Sequence, residues 1–332
     1  MTNSKITVIK GDGIGPEVVD SALSVLNAVS FKADFIEAEA GLAAWKKYGT
    51  PLPEKTVQSV LESDSCLFGS VTTPFGIKNY SSPIVALRKK LDLYANLRPI
   101  KSFEGVDSVK KINLFIVREN TEGLYSGIEE EFEDRVHAIR VVSRKASERI
   151  VLFAFALARK RNLNRVTVVH KANILRKSDG LFRDTALEVH KSFPDIIMDE
   201  MIVDAMAMDL IRQPEKYEVI VTTNLFGDIL SDEAGQIAGS FALSPSGNIG
   251  DKNSVFEPVH GSAPDIAGKD KANPVAAILA AKMLLEHLNE NEKALKIENA
   301  VEAYLRNGKK LTADLKGTAT TKQATEEIIS LL

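Results

Sequence analysis

The chain has 332 residues, 44% of them apolar and 26% charged, with a formal net charge of −3. That balance fits a soluble globular protein; it excludes collagen-like and disordered classes and gives no basic footprint for nucleic acid or an anionic membrane surface. The length exceeds what one core usually organises, so two domains are expected.

Met1–Lys10 holds no apolar run of the signal-peptide type, and no stretch reaches the roughly 20 apolar residues of a membrane helix. The single cysteine, Cys66, lies in the apolar run Ser65-Cys-Leu-Phe68 and has no internal disulfide partner. A cytoplasmic location is expected. No polarising neighbour stands beside Cys66, which reads as a buried structural thiol.

In chain order, the first predicted strand, Ile6–Ile9, runs into Gly11-Asp-Gly-Ile-Gly-Pro-Glu17. The spacing is one residue short of the G-x-G-x-x-G dinucleotide fingerprint, and Pro16 stands inside the turn that would hold phosphate. A tight strand-to-helix turn is expected instead. A second strand, Asp64–Val71, is followed by Thr72-Thr73, and Arg88 and Arg98 flank Lys89–Leu97. The strand Asn113–Val117 is followed by Arg118. The acid-rich segment Ile128–Asp134 reads as a solvated hairpin arm. Ser147–Ala158 is predicted helical, with Ile150, Phe153, Ala154 and Leu157 on one face. Strands Val166–His170 and Tyr217–Thr223 are followed by Lys171 and Asn224, and Pro274 opens a helix over Val275–Leu288. Such alternation predicts an α/β fold with a mostly parallel sheet. Polar residues at strand carboxyl ends are where open α/β sheets gather ligands.

Asp228 and Asp232, in Thr223-Asn-Leu-Phe-Gly-Asp-Ile-Leu-Ser-Asp-Glu233, share one helix face at i and i+4. Like charges so placed cost about 0.2–0.5 kcal/mol. The nearest cations in sequence are Lys216 and Lys252, so a bound metal accounts for the pair better than a local salt bridge, although spacing alone fits a solvated acidic face equally well. Hard divalent ions such as Mg²⁺ take carboxylate oxygens. Arg88, Arg98 and Arg118 would suit a di- or tricarboxylate if they converge, because guanidinium binds carboxylate bidentately.

Six collinear motifs together resemble a known family. They are Gly11–Glu17, Leu93-Tyr-Ala-Asn-Leu-Arg-Pro99, Arg118-Glu-Asn-Thr-Glu-Gly-Leu-Tyr125, His170-Lys-Ala-Asn173, the Asn224–Leu243 stretch and Phe256-Glu-Pro-Val-His-Gly-Ser-Ala-Pro-Asp265. The family is the metal-dependent β-decarboxylating dehydrogenases, which includes isopropylmalate, isocitrate, homoisocitrate and tartrate/D-malate dehydrogenases. The resemblance implies an α/β, isopropylmalate dehydrogenase-like two-domain fold with a largely parallel mixed sheet, not a Rossmann fold. Residues 1–98 and 247–332 would form a larger cofactor-binding domain, and residues 99–246 a smaller one carrying a dimerisation arm.

The same resemblance implies oxidation of a 2-hydroxy acid by hydride transfer to NAD, then loss of CO₂ from the keto acid, with a divalent metal as electron sink. Asp228, Asp232 and Asp204 match the family's Mg²⁺ or Mn²⁺ ligands, Asp204 reaching the site of the partner subunit in a homodimer. Lys171 matches the general base, acting through water or Asp204, and Tyr125 the acid that protonates the enolate. A base role requires a lysine perturbed by nearby cations or burial. Arg88, Arg98, Arg118 and Ser82 match substrate contacts. Cofactor contacts fall on Thr73, Asn173, Glu257, His260, Gly261, Ser262, Ala263, Asp265, Ile266 and Asn273. Asp265 stands where NADP-dependent members tend to carry Lys followed by Tyr; a carboxylate accepts from ribose hydroxyls and repels a 2′-phosphate.

Substrate choice in the family rests on the loop before Arg88, here Thr73–Val85. Ser82-Pro83-Ile84 keeps the serine of isocitrate-specific members and lacks their asparagine. Lys78, Asn79, Tyr80 and Ser82 suit a distal carboxylate and Ile84 suits methylenes, which points to homoisocitrate, or isocitrate and homoisocitrate together; 3-isopropylmalate is the alternative. A silent regulatory subunit is disfavoured because every implied catalytic residue is present. Phosphoryl transfer is disfavoured because no P-loop is.

Overall fold

The computed structural model describes residues 3–74, 76–77 and 80–332. Lys78 and Asn79, expected to touch substrate, lie outside the described residues. The chain begins with β1 (Ser4–Gly11), α1 (Gly15–Ala28), β2 (Ala33–Ala38), α2 (Leu42–Tyr48), α3 (Glu54–Leu61), β3 (Ser65–Ser70) and α4 (Pro83–Lys90). There follow β4 (Ala95–Lys101), β5 (Asn113–Glu119), β6 (Gly123–Glu131), β7 (Val136–Val141), α5 (Arg144–Lys160), β8 (Arg165–His170), α6 (Ser178–His190), β9 (Ile197–Ile202), α7 (Val203–Arg212), β10 (Val219–Thr222) and α8 (Asn224–Ile237). The last elements are β11 (Pro245–Ile249), β12 (Ser254–Pro258), α9 (Val275–His287), α10 (Asn291–Asn307) and α11 (Thr321–Ser330).

Two compact units emerge, one from residues 1–91, 103–107 and 240–332, the other from 92–102 and 108–239. The boundary expected after residue 98 therefore falls inside β4, whose antiparallel ladder with β5 keeps Arg98 in the second unit. In the first unit β2, β1, β3 and β12 pair in parallel and β11 runs antiparallel to β12. Cys66, Leu67 and Phe68 of β3 are wholly buried, as a central parallel strand covered on both faces requires. Val275–Ala281 of α9 are buried on every side of the helix, so α9 is a core element rather than an amphipathic one.

In the second unit β5, β10, β8 and β9 are parallel and β4 is antiparallel to β5. Helices α7 and α8 close over Ile116, Ile220 and Val169 with Met206, Leu210, Leu230 and Ala234. Helix α5 buries Ile150, Ala154 and Leu157 as expected, but Phe155 rather than Phe153 is the wholly buried aromatic. Strands β6 and β7 form a separate two-stranded ribbon, the acidic arm, largely exposed. Arg118 lies within β5 instead of after it. Its backbone is paired on both sides, with Thr222 and Asn96, and its guanidinium finds partners on α8. Among the described residues no helix is long and apolar enough to cross a membrane.

Candidate active site

The aspartate pair sits on α8 in the second unit. Gly227 brings this helix against β5, because a Cβ there would lie 2.7 Å from the Arg118 Cβ. That approach delivers Asp228 to two guanidiniums at once. Arg98 Nη2 donates to Asp228 Oδ1 at 3.1 Å and Arg98 Nη1 to Asp232 Oδ1 at 2.9 Å, while Arg118 Nη1 pairs with Asp228 Oδ1. The cations that balance the pair are thus Arg98 and Arg118, not Lys216 or Lys252, which were merely nearest in sequence. On the other carboxylate oxygen, Tyr125 Oη donates to Asp228 Oδ2 at 2.5 Å, and the Arg118 guanidinium lies 4.8 Å from the centre of the Tyr125 ring.

The two guanidiniums balance the two carboxylates, and the carboxylates remain open to solvent. Arg118 is buried, yet the Asp228 and Asp232 side chains keep 28% and 62% exposure. Burial is the main influence raising the Asp232 carboxyl above its usual range, with Arg98 opposing it. Burial, and then the bond to Asp228, hold the Tyr125 phenol above its ordinary value, so it keeps its proton at neutral pH. Two partly exposed carboxylates are a donor set suited to Mg²⁺ or Mn²⁺, which complete their shell with water and substrate oxygens. Among the described residues, however, no three metal-capable side chains gather.

Lys171 follows β8, and its Nζ pairs with Asp204 in the first turn of α7. The neighbour found is a carboxylate rather than one of the expected cations; Lys171 holds Asp204 below the ordinary carboxylate range. The backbone of Lys171 is fixed by Asp179, a wholly buried residue whose Oδ2 accepts the Lys171 N–H at 2.6 Å. The other oxygen of Asp179 pairs with Arg140 of β7, and Arg140 Nη2 donates to Thr223 Oγ1 at 2.8 Å, just before α8.

Arg88 belongs to the first unit, where its Nε donates to Asn248 Oδ1 at 2.9 Å and its Nη2 to Glu257 Oε1 at 3.1 Å. Of the three arginines, Arg98 and Arg118 meet on one aspartate, whereas Arg88 has its own buried carboxylate and amide. Ser82 precedes α4 without capping it by its side chain. Tyr80 donates its hydroxyl to the Thr72 carbonyl at 2.8 Å and packs edge-on against Trp45, so it fastens the loop. Burial pushes its phenol up to about 12.

The expected cofactor residues occupy varied settings in the first unit. Gly261, Ala263 and Asp265 are exposed, Ile266 is half-buried, and Ser262 is buried with its hydroxyl 2.7 Å from Thr72 Oγ1. His260 is buried with Nε2 lacking any partner, a vacant polar atom of the kind an adenine or ribose satisfies, and burial lowers its basicity. Asn273 instead spends its amide on Asp314 at 2.9 Å and its carbonyl on the Val275 N–H at 3.0 Å, starting α9. Thr73 is exposed, as is Asn173 in the second unit.

Asn224 was expected only as a polar residue at a strand end, and Ser231, Asn96, Asp179 and Arg140 escaped sequence reading. Asn224 Oδ1 accepts from Arg118 Nη2 at 2.7 Å, and Ser231 Oγ accepts from Arg98 Nη1 at 2.6 Å. The signal for Ser231 was present: 224, 228 and 231 are spaced i, i+4 and i+7 and share one face of α8. For Asn96, Asp179 and Arg140 no local pattern existed.

A family model described as isocitrate/isopropylmalate dehydrogenase matches residues 5–331. The chain is 48% identical to the homoisocitrate dehydrogenase of Methanocaldococcus jannaschii, covering 99% of this chain and 97% of that protein. It is equally 48% identical to a 3-isopropylmalate dehydrogenase of Methanothermobacter thermautotrophicus, covering 99% and 98%. The crystal structure of isocitrate dehydrogenase from Methylococcus capsulatus superimposes with a TM-score of 0.95 at 47% identity, covering 99% of both chains.

Proposed function

The chain belongs to the isocitrate/isopropylmalate dehydrogenase family, and from that premise we propose that it catalyses the metal-dependent oxidative decarboxylation of homoisocitrate, with hydride transfer to NAD. The observation that carries this reading is the meeting of Arg98, Arg118 and Tyr125 on Asp228. It supports the reading because two guanidiniums, a phenol and a carboxylate, the groups that carboxylate binding, proton delivery and metal ligation call for, lie within one cluster.

In this reading Arg98 and Arg118 orient the malate carboxylates. Lys171, paired with Asp204 and so acting in trans with it in the partner's site, takes the proton of the C2 hydroxyl through water or Asp204 as hydride leaves C2 for the nicotinamide. After C3 loses CO₂, Tyr125 delivers its retained proton to C3. Asp228 and Asp232, with Asp204 of the partner subunit, would hold Mg²⁺ or Mn²⁺, which when bound supplies Lewis-acid polarisation. The absence of a third ligand nearby, among the described residues of one chain, supports the assignment of Asp204 to a second copy. So do Met208 and Ile211 on α7 and Ile229 on α8, large apolar side chains left exposed. Mixing Lys171→Met with Tyr125→Phe protein should restore activity; no recovery after demonstrated subunit exchange counts against shared sites.

The uncapped hydroxyl of Ser82 supports a distal carboxylate contact. Ile77, 38% exposed in the same loop, supports 3-isopropylmalate as the second reading. A rate panel of homoisocitrate, isocitrate, 3-isopropylmalate, D-malate and tartrate, each with NAD and NADP, tests both. Turnover of none of them, or full turnover in EDTA, sinks the proposal.

A further inference from the structure

The turn Gly11–Glu17 follows β1 as a dinucleotide motif would, yet lacks the spacing to hold phosphate. Its contacts show a different use. The Ile14 N–H donates to the Ser262 carbonyl at 2.9 Å, and the Gly268 N–H donates to Glu17 Oε1 at 2.5 Å. Both acceptor and donor belong to the loop that carries His260, Ser262, Asp265 and Ile266. Between them the loop makes short local bonds, Ile266 N–H to Ala263 O at 3.1 Å, Ala267 N–H to Pro264 O at 3.4 Å, Lys269 N–H to Ile266 O at 3.2 Å and Lys269 Nζ to Asp265 O at 2.8 Å, and the Ser262 hydroxyl lies 2.7 Å from Thr72 Oγ1. The turn therefore grips both ends of the segment 262–268.

The closeness of the grip is visible at Gly13. Its φ is +61°, and a Cβ built there would lie 1.9 Å from the Ser262 carbonyl oxygen, so only glycine lets the two backbones meet. The turn itself is rigid. The Asp12 N–H donates to Ser70 O at 2.6 Å, and the Asp12 carboxylate accepts from Leu42 N at 2.8 Å, Ala43 N at 3.2 Å and Thr72 N at 2.9 Å. One hub thus anchors α2, the strand end before Thr73 and the 262–268 segment. Glu17 Oε2, meanwhile, is buried without a partner. Leaving a carboxylate oxygen so is costly, and the bond of the other oxygen to the Gly268 N–H is held at that cost.

We propose that Glu17 is a positioning residue for the cofactor, holding the 262–268 segment through the Gly268 N–H so that His260 and Asp265 meet the adenosine half of NAD. This rests on the assignment of that loop to NAD in the proposed function. The role is one of placement: Glu17 acts through the loop and leaves the substrate cluster on α8 alone.

The test uses three proteins: wild type, Glu17→Asp, which keeps the charge but shortens the reach, and Glu17→Gln, which keeps length and an acceptor. NADH binding is followed by nucleotide fluorescence without substrate or metal, and amide hydrogen exchange of 261–268 is followed in the free proteins. Glu17→Asp should weaken NADH binding about tenfold, as loss of one charge-assisted bond predicts. It should also speed loop exchange, with the KM for hydroxy acid at saturating NAD unchanged and the melting temperature nearly so. Glu17→Gln should recover most of the affinity. If Glu17→Asp binds NADH as wild type does, the positioning role is overturned while the cofactor assignment stands. If wild type itself does not bind NADH, the assignment falls and the proposal with it. Equal losses of affinity and KM in both variants, with lowered melting temperatures, show a merely structural residue.

Discussion

Arg118, on a central strand, and Asp228, one turn into α8, form an ion pair in which the arginine is buried and the aspartate still reaches solvent. The pair exists because Gly227 removes the one side chain that would hold helix and strand apart. Replacing Asp228 by Asn keeps its size but removes the charge that Arg98 and Arg118 share. Activity should fall at least about 100-fold, the scale of losing a major electrostatic contributor. The NADH absorbance assay at saturating Mn²⁺ checks it; activity within about tenfold of wild type contradicts the placement of metal and substrate on Asp228.

The Arg88–Glu257 pair tests the first unit. Both side chains are about nine-tenths buried, so Arg88→Met strands a carboxylate and should destabilise by about 3–5 kcal/mol. Adding Glu257→Gln should restore part of that loss. Denaturant melts of the two single variants and the double form the cycle, and strict additivity shows that the two groups are not coupled.

Asp179 braces Lys171 from behind. Asp179→Ala leaves Arg140 without its carboxylate and the Lys171 N–H without an acceptor, so stability should fall by about 3–5 kcal/mol. Asp179→Asn retains an acceptor for that N–H and should lose less stability and less kcat. Thermal melts beside kcat values decide it.

Two imidazoles set an acid limit. Burial lowers the basicity of both His170 and His260, so each binds its proton more weakly folded than unfolded. Their contribution to stability is complete above the unfolded value of about 6.5 and is lost as pH falls below it. The melting temperature should drop between about pH 7 and pH 5, and His260→Asn should flatten that slope. A slope unchanged by His260→Asn and by His170→Asn removes the explanation.

The proposed NAD dependence assigns cofactor choice to exposed Asp265 and half-buried Ile266. Asp265→Lys with Ile266→Tyr replaces a group that repels a 2′-phosphate with one that attracts it. The NAD to NADP ratio of kcat/KM should move toward NADP by about tenfold or more, corresponding to ~1.4 kcal/mol. No movement means that the ribose is read elsewhere.

Much of this protein was determined by its sequence alone. Alternating strands and helices predicted the α/β class, an apolar run predicted β3 and helical period α5, and the i, i+4 spacing placed Asp228 and Asp232 on one helix face. Those features are local: periodicity expresses which side of an element meets water, and spacing along a helix is fixed by 3.6 residues per turn. What the sequence left open was which charges meet. Arg98 and Arg118 are far from Asp228 along the chain, and Lys216, nearest to it, takes no part in the cluster. Likewise the Gly11–Glu17 turn revealed its shape but not its partner, the segment 262–268. These pairings follow from the order of strands in the sheets and from the approach distances that Gly13 and Gly227 permit. Only the tertiary structure decides such distances, because they join segments that no local pattern connects.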